Sequence, residues 1–350
     1  MPHGPGCGCA GPSRRALLAG LAAAALPLAP ATADDALDPA PRRIDVHHHF
    51  FPPSYLERMP AVVRAPPTPA QREWTPAGVL DHMDKSRVAT AILSVSPWGP
   101  WFKDADEAHV LARICNDYAA QMARDHPGRF GLFAAMPLPN LDGTLHEIAY
   151  AFDTLKADGI GLMTSYGDKF PGHPDFAPVF DELNRRKAVV YFHPNTPQCC
   201  GNLMPGSSPA MLEWPYDTGR ALLSLLLSGA LVRYPDIRFI FSHAGGPVPV
   251  LAGRIVAMTR ARNDLAQIAP QGVMHELTRP HYDTANAYFA PTMAALLKFV
   301  PVSQVLFGSD YPYFSLEDNV AGLADFPLAQ AERQAIDRGN AARLLPRFAA

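Results

Sequence analysis

A chain of 350 residues that is 48% hydrophobic is long enough to bury one large core or two ordinary ones. Only 18% of its residues are charged and its formal net charge is −3, so neither a disordered chain nor a basic nucleic-acid-binding surface fits. The 37 prolines and 25 glycines stay below the level of low-complexity chains and read as loop punctuation.

At the N-terminus, Arg14-Arg15 precede an apolar, alanine-rich run that ends near Pro30, and Ala31-Thr32-Ala33 supplies the small-x-small pattern that a signal peptidase cuts. The run is too short to span a bilayer, and the paired arginines resemble a twin-arginine export signal. Residues 1–33 are therefore expected to be removed on export to a periplasm or the exterior, leaving no membrane span. Residues 34–42 read as a Pro-rich linker and 43–350 as the folded domain. Three cysteines then remain, Cys115, Cys199 and Cys200, an odd count with a vicinal pair that does not read as a disulfide framework.

From residue 43 onward, near-continuous apolar runs alternate with helical patterns. Strands are predicted over 43–50, 88–95, 130–137, 159–166, 188–194, 238–245, 280–286 and 305–312, with the composition of strands covered on both faces. Between them, Val110, Leu111, Ile114, Tyr118 and Met122 fall on one helical face, as do Leu145, Ile148, Ala149, Phe152 and Leu155, and 217–232 reads as a third, mostly apolar helix. Eight β-then-α units predict an α/β fold, a single-domain (β/α)8 TIM barrel. No G-x-G-x-x-G follows any strand, which disfavours a doubly wound sheet. Long insertions at 51–75 and 195–216 follow strands one and five and would overhang the C-terminal mouth.

The chemistry falls at strand ends. His47 and His49 are two apart on a strand, so both side chains point to the same face while His48 points to the other. His193 ends the fifth predicted strand, His243 the sixth and Asp310 the eighth, so residues far apart in sequence converge at one rim. Three neutral imidazoles and a carboxylate from such a set suit one divalent metal, Zn²⁺ first, with Mn²⁺ or Fe²⁺ next.

The motifs DVHHHF, YFHPN, HAGG and FGSDYP, in this order, resemble the amidohydrolase-related branch of the metal-dependent hydrolases. That branch holds aminocarboxymuconate-semialdehyde decarboxylase and nonoxidative aromatic decarboxylases. The run DVHHHFFPPSYLE with SYGDKF, DTGRALLSLLLSG and RFIFSHAGG resembles most the 6-methylsalicylate decarboxylase-like members. The resemblance implies His47, His49, His193 and Asp310 as metal ligands and His243 as a catalytic histidine near the metal. Binuclear members carry a carboxylated lysine at the end of strand four, whereas this strand ends Leu162-Met163-Thr164-Ser165, so one metal is expected. The resemblance further implies that Arg254, eleven residues after His243, pairs with a substrate carboxylate, in some members across a dimer interface, and hence a homodimer. A guanidinium suits that role because it binds a carboxylate with two parallel hydrogen bonds. Among Arg58, Arg64 and Arg72 no second substrate arginine stands out.

Three functions are expected in order. The first is metal-dependent nonoxidative decarboxylation of a small aromatic or enolic acid, 6-methylsalicylate-like, with Asp310 or His243 protonating the carbon that loses CO₂. The second is hydrolysis of a lactone, ester or amide at the same metal, with His243 as base. The third is a noncatalytic exported metal-binding protein.

Overall fold

The eight apolar runs become eight parallel strands, hydrogen-bonded in the order of the chain: β1 (Arg43–His49), β2 (Val88–Ser94), β3 (Phe130–Ala135), β4 (Gly159–Met163), β5 (Val189–His193), β6 (Arg238–Phe241), β7 (His281–Asp283) and β8 (Val305–Leu306). In this computed structural model the described residues are 43–63, 67–96, 99–100, 104–197, 200 and 204–349. The expected export signal and linker, with Arg64, Trp98, Trp101 and Cys199, lie outside them. The chain beyond β8 closes the barrel on β1: Val46 N–H donates to the Phe307 carbonyl at 3.0 Å, Asp310 N–H to His47 at 2.8 Å and His49 N–H to Tyr311 at 2.8 Å. Each strand is followed by a principal helix, α1 (Pro76–Lys85), α2 (Ala105–Asp125), α3 (Leu141–Ala149), α4 (Ala177–Arg185), α5 (Glu213–Leu227), α6 (Val248–Thr259), α7 (Ala290–Phe299) and α8 (Leu316–Asp325). Among the described residues, no helix is long and apolar enough to cross a membrane.

Two apolar layers hold this arrangement. Ile44, Val46, Ile92, Phe133, Val189, Tyr191, Ile240 and Leu306 fill the barrel, and Leu345 and Phe348 join them from the C-terminal segment. The larger layer lies between strands and helices. In α2, capped by the Asp104 carboxylate on the Asp106 and Glu107 N–H groups, the buried stripe is Ala108, Leu111, Ala112, Cys115, Ala119 and Met122. Val110, expected on that stripe, is instead exposed, because the small residues Ala108 and Ala112 carry the close approach to the sheet.

The last three strands are shorter than their apolar runs suggest. β6 stops at Phe241 because His243 and Ala244 take left-handed backbone angles (φ 53° and 56°) in a tight turn. Asn286 (φ 54°) after β7 and Asp310 (φ 61°) after β8 turn likewise. Non-glycine residues avoid this region. Four of them at one rim set the strand-end side chains at the mouth, not along the barrel wall.

His281, at the opposite end of β7, has a structural role with a measurable signature. Burial, with Arg238 and Arg343 nearby, pushes its imidazole down to about 4, against a hydrogen bond with the Phe239 backbone that acts the other way. The unfolded chain takes up a proton as pH falls through about 6.5, while the folded one resists until about 4, so this residue removes up to about 3 kcal/mol of stability across that window. Urea unfolding of metal-free protein at pH 7 and pH 4.5 should show a smaller acid loss in His281→Gln than in the wild type. Equal losses would contradict the assignment.

Candidate metal centre

The period-two spacing on β1 does place His47 and His49 on one face, both fully buried, and β5 and the β8 turn bring His193 and Asp310 to meet them. One ligand atom from each of these four residues lies within 4.8 Å of the others. Asp310 Oδ1 is 3.2 Å from His47 Nε2, 3.0 Å from His49 Nε2 and 4.0 Å from His193 Nε2. Its other oxygen faces elsewhere, with Oδ2 3.2 Å from His243 Nε2 and accepting the Asn286 side-chain N–H at 2.9 Å. The two oxygens of one carboxylate thus divide the site: Oδ1 belongs to the four-residue cluster and Oδ2 to His243.

The protons decide what this cluster can hold. His49 Nδ1 faces the Ser94 carbonyl at 3.1 Å and His193 Nδ1 the Pro194 carbonyl at 2.9 Å. Carbonyls only accept, so both Nδ1 atoms carry the hydrogen, and in the neutral ring Nε2 is then a bare lone pair. Burial lowers the pKa of both imidazoles, with Asp310 opposing, and keeps them neutral. Two lone pairs therefore face each other at 3.1 Å beside a buried carboxylate. Such a set repels itself unless a cation sits among its atoms. Burial also lowers His47, but Asp283 and Asp310 outweigh it and push the imidazole up to about 10, so positive charge is favoured where that ring faces Asp310. A divalent metal in place of that proton satisfies all four groups, and the donors fit one ion. Burial raises Asp310, yet the neighbouring His47 and the hydrogen bond with His243 hold it well below the usual carboxylate range, ready as an anionic ligand.

The supporting residues were not singled out by sequence. Asp283 on β7 accepts from His47 Nδ1 at 2.9 Å, and its other oxygen accepts the backbone N–H of His243 at 2.8 Å and of Ala285 at 3.1 Å. One carboxylate thereby orients a ligand and the neighbouring histidine, the arrangement that fixes a ligand's tautomer and raises its basicity. Asp45 does the same for the backbone, accepting from His47 N–H and Ser309 N–H, while its second oxygen meets His48 Nδ1 at 3.0 Å and the Ser309 hydroxyl. His48 indeed points away from the cluster, stacked on Tyr311. Both aspartates are fully buried carboxylates on barrel strands, where an ion must have partners. That was their sequence signal.

Around the cluster, the insertion after β1 folds into short helices (Pro53–Val63 and Pro69–Glu73), and Gln71 donates to the Tyr313 hydroxyl at 3.0 Å. The Tyr313 ring packs on His49. The insertion after β5 sets Trp214 edge-on to His193. Gly246 (φ 59°) meets Pro215 so closely that a Cβ there would lie 2.0 Å from its carbonyl oxygen, which accounts for the glycine pair after His243 as a site of backbone approach. Cys200 is disulfide-bonded, contrary to the expectation from the cysteine count, and so is not a thiolate ligand. Arg254 lies exposed on α6 and makes no ion pair among the described residues. Arg58 is paired with Glu107, and Arg72 donates to the Pro67 carbonyl.

With this geometry in hand, likeness to known proteins becomes informative. The sequence model of the amidohydrolase family matches residues 44–347. The chain is 36% identical over 328 residues to the decarboxylase macB of Penicillium terrestre, covering 87% of this chain and 95% of that protein. It is 35% identical over 314 residues to 6-methylsalicylic acid decarboxylase of Penicillium expansum, covering 87% and 97%. The crystal structure of 5-carboxyvanillate decarboxylase from Novosphingobium aromaticivorans, complexed with manganese and a nitrobenzoic acid, superposes with a TM-score of 0.80 at 19% identity, covering 88% of this chain and 97% of that one.

Proposed function

The chain belongs to the amidohydrolase family, and on that premise we propose that it is a carboxy-lyase removing CO₂ from a small hydroxylated aromatic or enolic acid, 6-methylsalicylate-like, at one divalent metal held by His47, His49, His193 and Asp310. The observation that carries this reading is an intact single-metal donor set in a chain 35% identical to a 6-methylsalicylic acid decarboxylase along 97% of that enzyme. Zn²⁺ and Mn²⁺ both suit three imidazoles and a carboxylate.

A divalent metal bound there would supply a Lewis acid for the substrate carboxylate and its neighbouring hydroxyl. The chain's own groups do the rest. When the C–C bond to the carboxylate breaks, its electron pair stays on the ring carbon and must take up one proton, so that carboxylate plus proton gives arene plus CO₂. In this reading His243, 13% exposed at the mouth and 3.2 Å through Nε2 from Asp310 Oδ2, delivers that proton, with Asp310 sharing it. Asp283 holds the His243 backbone and so fixes where the imidazole stands.

Arg254 supplies the charge complement for the carboxylate. Val250 and Met258, one turn before and after it on α6, are 71% and 70% exposed, an apolar stripe around an exposed guanidinium. Such a face fits burial against a second copy of the chain, and the reading includes a homodimer in which Arg254 reaches a substrate carboxylate. The test incubates metal-loaded protein with hydroxybenzoates and with lactones. CO₂ release from the former is expected, with KM raised about tenfold in Arg254→Ala for loss of one charged hydrogen-bonding partner. Acid release from lactones without CO₂ from any benzoate would replace this reading with a hydrolase.

A further inference from the structure

The ligands His47 and His193 are supported differently. His47 Nδ1 meets a carboxylate directly, that of Asp283, whereas His193 Nδ1 meets a peptide carbonyl, that of Pro194. The same peptide unit continues through its other end. The N–H of Asn195 donates to the Thr164 hydroxyl at 3.0 Å, and that hydroxyl donates its single hydrogen to Asp217 Oδ2 at 2.5 Å. Thr164 also donates its backbone N–H to the carbonyl of His193 itself at 2.9 Å. Thr164 and Asp217 are fully buried, and Arg220 one turn along α5 places Nη1 3.7 Å from the remaining Asp217 oxygen.

We propose that Thr164 and Asp217 are positioning residues for the metal: the Asp217 carboxylate acts through the Thr164 hydroxyl and the Pro194–Asn195 peptide on His193, holding its Nδ1–H tautomer and its ring orientation and so tightening the metal at Nε2.

Every link has one allowed direction. A carboxylate only accepts, so Thr164 must donate to Asp217 and can only accept from Asn195. The peptide N–H, drawn toward an oxygen that is itself polarised by an anion, leaves more negative charge on the Pro194 carbonyl, which strengthens its hydrogen bond from His193. Hydrogen bonds in such a chain reinforce one another, and partners of this kind are worth about 10–100-fold in metal affinity. Ser165 provides an internal contrast. Its hydroxyl donates to the same Asp217 oxygen at 2.9 Å but accepts nothing from the described residues of the His193 loop, so it helps hold the carboxylate without carrying the relay. The end of β4, where binuclear relatives place a bridging lysine, is thus given over in this chain to supporting the ligand on β5.

This inference rests on the metal reading above, and the experiment separates the two. The dissociation constant for Zn²⁺ is measured by chelator competition on wild type, Thr164→Val, Thr164→Ser, Ser165→Ala and Asp217→Asn. Thr164→Val should weaken binding about 10–100-fold, Thr164→Ser should restore it to within about threefold, Ser165→Ala should stay within about threefold, and Asp217→Asn should lose about tenfold. Asp217→Asn keeps the shape and both hydroxyl donors, so it carries the test if the valine variant does not fold. Wild-type affinity in Thr164→Val or Asp217→Asn overturns the relay and leaves the metal site standing, as does a loss in Ser165→Ala equal to that in Thr164→Val. A wild-type protein that binds no Zn²⁺ overturns both.

Discussion

His193→Ala should leave the purified protein with little of the single metal equivalent expected in the wild type, and with no measurable turnover. The cluster consists of four groups around one point, and His193 supplies a lone pair 3.1 Å from that of His49. Metal sites of four protein ligands are worth roughly 10–16 kcal/mol, so one ligand represents about 3 kcal/mol, a hundredfold or more in affinity. Removing the imidazole also leaves the Pro194 carbonyl without its donor inside the barrel mouth. Asp310→Asn should do the same by a different route, since a neutral amide cannot balance the ion, and it also takes from His243 its carboxylate hydrogen-bond partner. Elemental analysis of wild type and both variants after metal loading and desalting reads the effect directly. Two equivalents in the wild type, or one retained in His193→Ala, would contradict a mononuclear site built on these residues.

His243→Ala is expected to behave in the opposite way, keeping its metal while losing about 10²–10⁴-fold in kcat, the range of a general acid or base. The reason lies in the division of Asp310. Its Oδ1 gathers the ligand histidines, while its Oδ2 faces His243 and Asn286, so the imidazole stands beside the cluster without being part of it. Catalytic metals keep a position open for water or substrate, and a fifth permanent protein ligand would close it. Metal content near one equivalent together with lost turnover is the expected pair of results. If the variant loses its metal instead, His243 is a ligand, and the proton must come from Asp310 or water.

Much of this site is legible in the sequence because its ligands obey local rules. Two histidines at period two on an apolar strand must share a face, and polar residues at the ends of strands in a parallel barrel must share a rim. What is not legible is long-range or conformational. Asp283 ends the three-residue strand β7, and only the fold shows that its partners are His47 and the backbone of His243. Thr164 and Asp217 are separated by 53 residues, and nothing in either neighbourhood says that a hydroxyl and a carboxylate will meet behind His193. The ends of β6 and β8 are overrun by sequence reading because the apolar pattern continues while the backbone turns left-handed at His243, Ala244 and Asp310. The exposed Val110 shows a related limit: periodicity finds a helix face but not which flank of it the small residues press against the sheet.

Following the carboxyl carbon gives the most direct test. 6-Methylsalicylate carrying ¹³C in its carboxyl group, incubated with metal-loaded protein and followed by NMR, should yield labelled CO₂ or bicarbonate and 3-methylphenol in equal amounts, with neither product formed after chelation of the metal or by His193→Ala. Label that stays on intact aromatic acid throughout the hydroxybenzoate series, or label released equally well by the metal-free protein, would contradict a metal-dependent decarboxylase.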